Sequence, residues 1–203
     1  MQWRELLDAV GDQPVFTTGM LLAGHSSAAG LYSQLSRWVG AGKILKLRRG
    51  VYALAPPFSR VQPHPFLVAN RLEHASYVSL HSALAYYSMI PEHVPVTTSV
   101  TTGRTQYVQT PVGRFTYRHV QVERFRGFEQ REVTPGQLAI LATPEKALLD
   151  LLYLTPASDS PGYLEQLRLD VPPRFDWLVF DELAEGPHEA KLRRAATRLR
   201  ENL

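Results

Sequence analysis

Four basic residues fall within seven positions near the N-terminus, with no acidic residue among them: Lys43, Lys46, Arg48 and Arg49. Ammonium and guanidinium groups that are concentrated in this way bind phosphate oxygens, as in proteins that contact a nucleic-acid backbone. The sequence therefore predicts a phosphate-contacting element. The alternative, a solvated basic hairpin that only supports a small helical domain, is left open by the sequence.

The segment before this cluster has the pattern of two short helices. The first contains residues 20–22, with Thr17 or Thr18 as its cap. The second has Ser26 or Ser27 as its cap, and apolar residues recur along it at helical spacing: Leu31, Leu35 and Trp38. This spacing predicts one buried helix face.

The opposite face of the second helix is polar and consists of Ser33, Gln34 and Arg37. In a DNA major groove, arginine can pair with guanine and glutamine with adenine. Ser26 and Ser27 would then contact phosphate near the start of the helix. We predict that these five residues contact DNA, while the sequence leaves open the alternative that they only face solvent.

Two short strand patterns, residues 44–47 and 51–54, flank Gly50 and predict a hairpin. A helix, a turn, a second helix and a basic hairpin in this order are typical of a winged helix-turn-helix, whose second helix enters the major groove while the hairpin contacts the backbone. The predicted wing is residues 43–54. A further helix at residues 1–10 completes a three-helix core, so residues 1–56 are predicted to form a DNA-binding domain.

A proline-rich linker is predicted at residues 57–65, because proline removes backbone donors and disfavours helix before it. Beyond it, β-branched and apolar runs predict strands near residues 94–102, 115–122 and 137–142. Helices are expected near residues 66–74, 82–89, 143–153, 175–183 and 188–203. The predicted fold class is α+β, an N-terminal winged helix-turn-helix followed by a C-terminal mixed α/β domain, residues 66–203, with a small sheet and flanking helices.

The composition limits the classes of function. The net charge of the 203 residues is only +3, so affinity for nucleic acid must come from local patches. The absence of cysteine excludes disulfides and thiolate chemistry. Residues 1–12 carry charges where a signal peptide is apolar, and no later run is long enough to span a membrane. We expect a soluble cytoplasmic protein without membrane contacts.

A second basic group lies near the C-terminus, on a helix with an apolar stripe: Lys191, Arg193, Arg194 and Arg198. These residues are candidates for additional nucleic-acid contacts. The commoner alternative is a solvated face, because packing of the stripe leaves the charges outward whether or not they have a partner.

No catalytic, metal or cofactor site is predicted. Glu145 and Lys146 lie in the first turn of a helix, where capping and the helix dipole explain them better than acid/base chemistry. The histidines have no metal-ligand spacing, and Ser82 beside His81 lacks the glycines of a nucleophile elbow. There is also no phosphate-binding loop, so the protein is predicted not to be an enzyme.

A resemblance to a known family rests on residues 47–52 (LRRGVY), on Tyr77–Ser79 and Ser82–Leu84, on Val100 and Thr101, and on residues 143–152 (TPEKALLDLL). The resemblance is to the AbiEi-type antitoxins of bacterial type IV toxin-antitoxin systems. It implies an N-terminal winged helix that binds operator DNA and represses its own operon. It also implies a C-terminal antitoxin domain that opposes a nucleotidyltransferase-like toxin without forming a stable complex.

We therefore expect a DNA-binding antitoxin that recognises an inverted repeat in double-stranded DNA, as a homodimer or cooperatively, since one small winged helix buries little DNA surface. Two alternatives remain at this stage. One is a stand-alone transcriptional regulator without a toxin. The other is a nucleotide-handling enzyme or effector-binding module in the C-terminal domain.

Overall fold

A computed structural model describes residues 1–23, 28–186 and 189–202. The N-terminal part contains three helices and a three-stranded antiparallel sheet of order β1-β3-β2. Its elements in chain order are α1 (Trp3–Val10), β1 (Phe16–Thr17), α2 (Thr18–Leu22), α3 (Ala28–Gly40), β2 (Ile44–Arg48) and β3 (Val51–Leu54). The predicted helices and hairpin are present, and β1 was not predicted.

Local sequence accounts for the boundaries of these elements. The Thr17 hydroxyl accepts a hydrogen bond from the Met20 amide at 3.2 Å, which caps α2 as expected. Gly50 connects β2 to β3 with φ +81°, a conformation that L side chains rarely adopt. A Cβ atom there would also lie 3.2 Å from the Thr18 hydroxyl. The tight hairpin therefore depends on glycine.

The remainder of the chain folds around a six-stranded mixed sheet of order β6-β7-β5-β4-β9-β8. Its strands are β4 (Ser76–Val78), β5 (Thr97–Thr101), β6 (Gln106–Thr110), β7 (Gly113–His119), β8 (Phe128–Thr134) and β9 (Gln137–Ala142). Its helices are α4 (Pro65–Leu72), α5 (Leu80–Tyr86), α6 (Pro144–Leu154), α7 (Pro161–Leu167), α8 (Trp177–Ala184) and α9 (Glu189–Asn202), with one 3₁₀ turn at Val122–Arg124. Residues 188 and 203 of the last predicted helix lie outside the described residues.

Helices cover both faces of the sheet. On one face, the Tyr117 hydroxyl donates to the Ala69 carbonyl of α4 at 2.8 Å. On the other face, the Tyr77 hydroxyl donates to Asp150 of α6 at 2.9 Å. Helices α8 and α9 then pack against α6. Because α6 is enclosed in this way, nearly its whole length is buried.

Two hydrophobic clusters hold the chain together, and the three-stranded sheet contributes to both. Leu6, Leu35 and Ile44 belong to the N-terminal cluster. Leu47 and Val51, on the same hairpin, instead join the cluster that fills the C-terminal region. The two regions therefore share a packed boundary. The division into domains at residues 56 and 66 stays a prediction.

The proline-rich connection is fixed to the sheet by one buried side chain. The Gln137 carboxamide accepts a hydrogen bond from the His64 amide at 2.8 Å and donates to the Gln62 carbonyl at 2.8 Å. His64 in turn caps α4, since its Nδ1 atom accepts from the Phe66 amide at 3.2 Å. This segment thus has defined contacts with β9.

Candidate nucleic-acid interface

Helix α3 presents a polar face away from its core. Leu31 and Leu35 are buried, which places Ser33 and Arg37 on the exposed side because a helix turns by 100° per residue. Ser36 lies on the same side and is exposed as well. Two of the three polar residues predicted on this face, Ser33 and Arg37, are therefore accessible.

A groove separates this helix from the β2–β3 hairpin. Its lining comes from both elements: Tyr32, Ser36, Val39, Lys46, Arg49, Gly50 and Tyr52. Tyr32 is 50% exposed, although it lies on a helix that otherwise buries its large apolar side chains. The groove brings the predicted residues Lys46 and Arg49 beside α3. Tyr32 and Ser36 were missed by the sequence reasoning, although their helical spacing beside the apolar stripe could have indicated them.

Lys46 and Arg49 are free to bind an external anion. Both side chains are exposed, and within the described residues neither has an ion-pair partner. Exposed cations without internal partners keep their full charge for phosphate oxygens. The groove therefore combines two available cations with the Tyr32 and Ser36 side chains of α3.

Arg48 lies next to Arg49 in sequence but has different contacts. Its Nη1 atom donates to the Leu72 carbonyl at the end of α4 and lies 3.4 Å from a carboxylate oxygen of Glu73. Glu73 also accepts a hydrogen bond from the Gln106 side chain at 2.8 Å. The predicted phosphate contact of Arg48 is untested, and the structure places this guanidinium at the junction with the C-terminal region.

Lys43 and Gln34 lie on the other flank of α3. The Lys43 ammonium group is 4.9 Å from the ring centroid of Trp3, within the range of a cation-π contact. Gln34 is half-buried, and it lines the same shallow surface as Trp3, Arg37 and Lys43. Tyr32 and Gln34 are about 200° apart around the helix axis, so these residues do not face the groove. Ser26 and Ser27 lie outside the described residues.

The basic residues of α9 mostly contact other parts of the chain. Lys191 donates to the Thr155 carbonyl at 2.6 Å, and burial lowers the pKa of Lys191. Arg194 forms an ion pair with Asp159 at 2.8 Å, and Arg198 donates to the Asp159 carbonyl. Arg193 lines a surface groove together with acidic residues of α8. These contacts give α9 a role in holding the C-terminal region together.

A buried polar cluster occupies the TPEKALLDLL segment. Lys146 and Asp150 are 1% and 0% exposed at their side chains, and their charged atoms lie 2.7 Å apart. Asp150 also accepts from the Ser79 hydroxyl at 2.8 Å and from Tyr77, while Lys146 donates to the Arg124 carbonyl at 2.8 Å. Burial raises the pKa of Asp150 and, with the help of the Asp150 charge, that of Tyr77.

The sequence reasoning favoured a structural role over acid/base chemistry here, but it attributed that role to capping and the helix dipole and did not predict the buried pair of Lys146 and Asp150. The signal was available, because Lys146 and Asp150 are four residues apart and therefore lie on one face of a strongly apolar helix. Since solvent does not reach either charge, the cluster is suited to fixing α6 on the sheet. Glu145 likewise has a structural contact, accepting from the Asp176 amide at 3.0 Å.

The described residues contain neither a group of metal ligands nor a helix suited to crossing a membrane. Across residues 1–23, 28–186 and 189–202, no three histidine, aspartate or glutamate side chains are grouped so that they could hold a metal ion. In the same ranges, none of the helices has the length and apolar character needed to cross a bilayer.

A small helical domain with a basic hairpin and an exposed polar helix fits the class of DNA-binding domains. Residues 4–55 match the family model described as "Transcriptional regulator, AbiEi antitoxin". The resemblance predicted from the sequence is thereby confirmed for this segment, which is similar to the AbiEi antitoxin regulators that the family model describes. Comparison with curated proteins finds no match.

Proposed function

We propose that this protein is a DNA-binding transcriptional regulator of the AbiEi antitoxin type, and that its N-terminal domain is a winged helix-turn-helix. The observation that carries the proposal is the groove between α3 and the β2–β3 hairpin, where Lys46 and Arg49 lie beside Tyr32 and Ser36 of α3. The family match of residues 4–55 supports the same class of protein.

In the proposed complex, α3 enters the major groove of double-stranded DNA. Arg37 and Ser33 then reach base edges, while Lys46 and Arg49 of the wing contact the phosphate backbone. Tyr32 and Ser36 line the space between the two contacts. The bases would thus be read by α3, and the position on the duplex would be fixed by the hairpin.

The DNA target is an inverted repeat in the protein's own promoter, bound by two copies, which represses the operon. A single domain of this size buries too little DNA surface for high specific affinity, and a second copy on the other half-site supplies the remainder.

The C-terminal region is proposed to act without catalysis, by opposing a nucleotidyltransferase-like toxin with which it forms no stable complex. In support of a non-enzymatic role, the charged residues of its most polar internal cluster are inaccessible to a substrate. A stand-alone regulator is the second candidate, since the family match ends at residue 55. Co-expression with the product of a neighbouring nucleotidyltransferase gene decides between them, because only an antitoxin restores growth.

The DNA-binding proposal is tested by titrating the purified protein with a duplex of its own promoter over a series of salt concentrations. We expect the promoter to bind more tightly than a random duplex of equal length. Arg49→Ala should weaken binding to both duplexes and reduce the slope of log K against log salt by about 0.9, the value for one lost phosphate contact.

Arg131→Ala is the matched control, because Arg131 lies on β8, at the opposite edge of the sheet from β6, and pairs with Glu129. This variant should bind like the wild type. Equal affinity for promoter and random duplex, or an unchanged slope in Arg49→Ala, would contradict the proposal.

A further inference from the structure

One face of the β6–β7 hairpin is largely open, and α6 meets it at Arg118, which donates to the Leu154 carbonyl. Tyr107 pairs with Thr116, and Gln109 pairs with Arg114, so these side chains point to the same side of the sheet. Arg118 lies two residues beyond Thr116 and shares that side. Tyr107, Gln109, Arg114 and Arg118 are all exposed, and the Tyr107 side chain is 57% accessible.

This face is distinct from the groove of the N-terminal domain. The neighbouring side chains Phe115 and Tyr117 point to the opposite side, where Tyr117 contacts α4. Gln106, which also points to that side, joins the contact with Glu73 and so lies near Arg48. The Tyr107 face therefore looks away from the junction with the β2–β3 hairpin.

The charge of the hairpin is entirely positive. No acidic residue occurs between Glu92 and Glu123, whereas three arginines do: Arg104, Arg114 and Arg118. Among the described residues, none of the three forms an ion pair, and Arg118 donates only to the Leu154 carbonyl at 3.1 Å. An anionic partner would thus meet cations that the fold leaves uncompensated.

We propose that the outer face of β6–β7 binds single-stranded nucleic acid. An exposed aromatic ring on an open strand pair can stack on a base, and flanking arginines can hold the adjacent phosphates. Arg114 and Arg118 are about 13 Å apart along the strand, with Tyr107 on the neighbouring strand between them. Duplex DNA fits this face poorly, because its bases are already stacked on one another.

Fluorescence anisotropy with labelled oligo(dT) and oligo(U) of about 12 nucleotides, within the range that one small domain covers, tests the proposal. We expect Tyr107→Ala to weaken binding about tenfold, as the loss of one stacked base does, and Tyr107→Phe to keep it. Arg114→Ala should reduce the salt slope by about 0.7. Comparison of the two oligonucleotides shows whether RNA or DNA is preferred.

Arg131→Ala again serves as the control and should bind like the wild type. No binding of either oligonucleotide by the wild type, or equal affinity in wild type and Tyr107→Ala, would overturn the inference. Loss of binding in Arg49→Ala but not in Tyr107→Ala would assign the single strand to the N-terminal groove and also overturn it. The promoter-duplex titration is independent of these results, so the DNA-binding proposal can stand or fail separately.

Discussion

The charges of the β2–β3 hairpin and those of α6 show opposite relations to the rest of the fold. Lys46 and Arg49 are exposed and have no ion-pair partner among the described residues. Lys146 and Asp150 are buried, paired and hydrogen-bonded on several sides. Lys46 and Arg49 are available to an external polyanion, whereas the charges of Lys146 and Asp150 compensate each other inside the fold.

The burial and pairing of a charged residue therefore indicate its role more clearly than its residue type does. Arg48 shares features with both groups. It lies beside Arg49 in sequence, but its guanidinium group contacts the end of α4. A basic residue in this run can therefore be available to an external anion or form contacts within the fold, and the tertiary structure distinguishes the two cases. Parallel substitutions in the β2–β3 hairpin and in α6 test whether the charges of the two regions differ in this way.

The largest effect is expected from Asp150→Ala. The Lys146 ammonium group would lose its carboxylate while staying buried, and the Tyr77 and Ser79 hydroxyls would lose their acceptor. We expect the free energy of unfolding in urea to fall by about 3–5 kcal/mol. Lys146→Met/Asp150→Leu should lose less than the single variant, since no charge is left unpaired. A loss below about 1 kcal/mol in Asp150→Ala would show that the cluster does not anchor α6.

The next effect distinguishes the two neighbouring arginines on promoter duplex. Arg49→Ala should lower affinity about tenfold and flatten the salt dependence, because it removes the proposed phosphate contact. Arg48→Ala should leave the salt slope unchanged, since its guanidinium already contacts Leu72 and Glu73. Equal reductions of slope in both variants, measured in parallel titrations, would instead place Arg48 on the DNA.

A smaller effect on stability is expected from the same Arg48→Ala variant. The loss of its hydrogen bond and its partly exposed ion pair should cost about 1 kcal/mol of unfolding free energy. A double-mutant cycle with Glu73→Ala isolates the part that belongs to the ion pair. Arg49→Ala is the matched control and should keep wild-type stability. Equal stability of Arg48→Ala and Arg49→Ala would contradict a role for Arg48 at the junction.

The smallest effect concerns His64, whose pKa burial lowers below its ordinary value. The folded state therefore favours the neutral ring, whose Nδ1 atom accepts the Phe66 amide. Its contribution is complete above the unfolded pKa of about 6.5 and is lost as the pH falls through the folded pKa. The free energy of unfolding in urea should decrease as the pH falls below about 6.5, and it should decrease less in His64→Asn.

His81, whose pKa is also lowered by burial, is present in both proteins, so the difference between them reports His64 alone. An identical pH dependence in the two proteins would mean that protonation of His64 does not affect the cap of α4.

Much of the C-terminal region was predictable from local pattern, with informative exceptions. Thr143 and Pro144 mark the start of α6 as expected, and Thr143 accepts from the Lys146 amide at 3.3 Å. The strands β6 and β8 were missed, because they form the two edges of the sheet and carry mostly polar side chains. Helix α5 begins at Leu80, two residues before the expected start, where Leu80 adopts φ +58°.

In the N-terminal region, the sequence by itself determined α3 and the basic hairpin, because periodicity, capping residues and Gly50 act over a few neighbouring positions. Only the tertiary structure decided which cations remain available. Arg48 meets the end of α4 and Lys43 meets Trp3, whereas Lys46 and Arg49 have no ion-pair partner among the described residues. Contacts between residues far apart in the chain depend on how whole elements pack, and no local pattern encodes them.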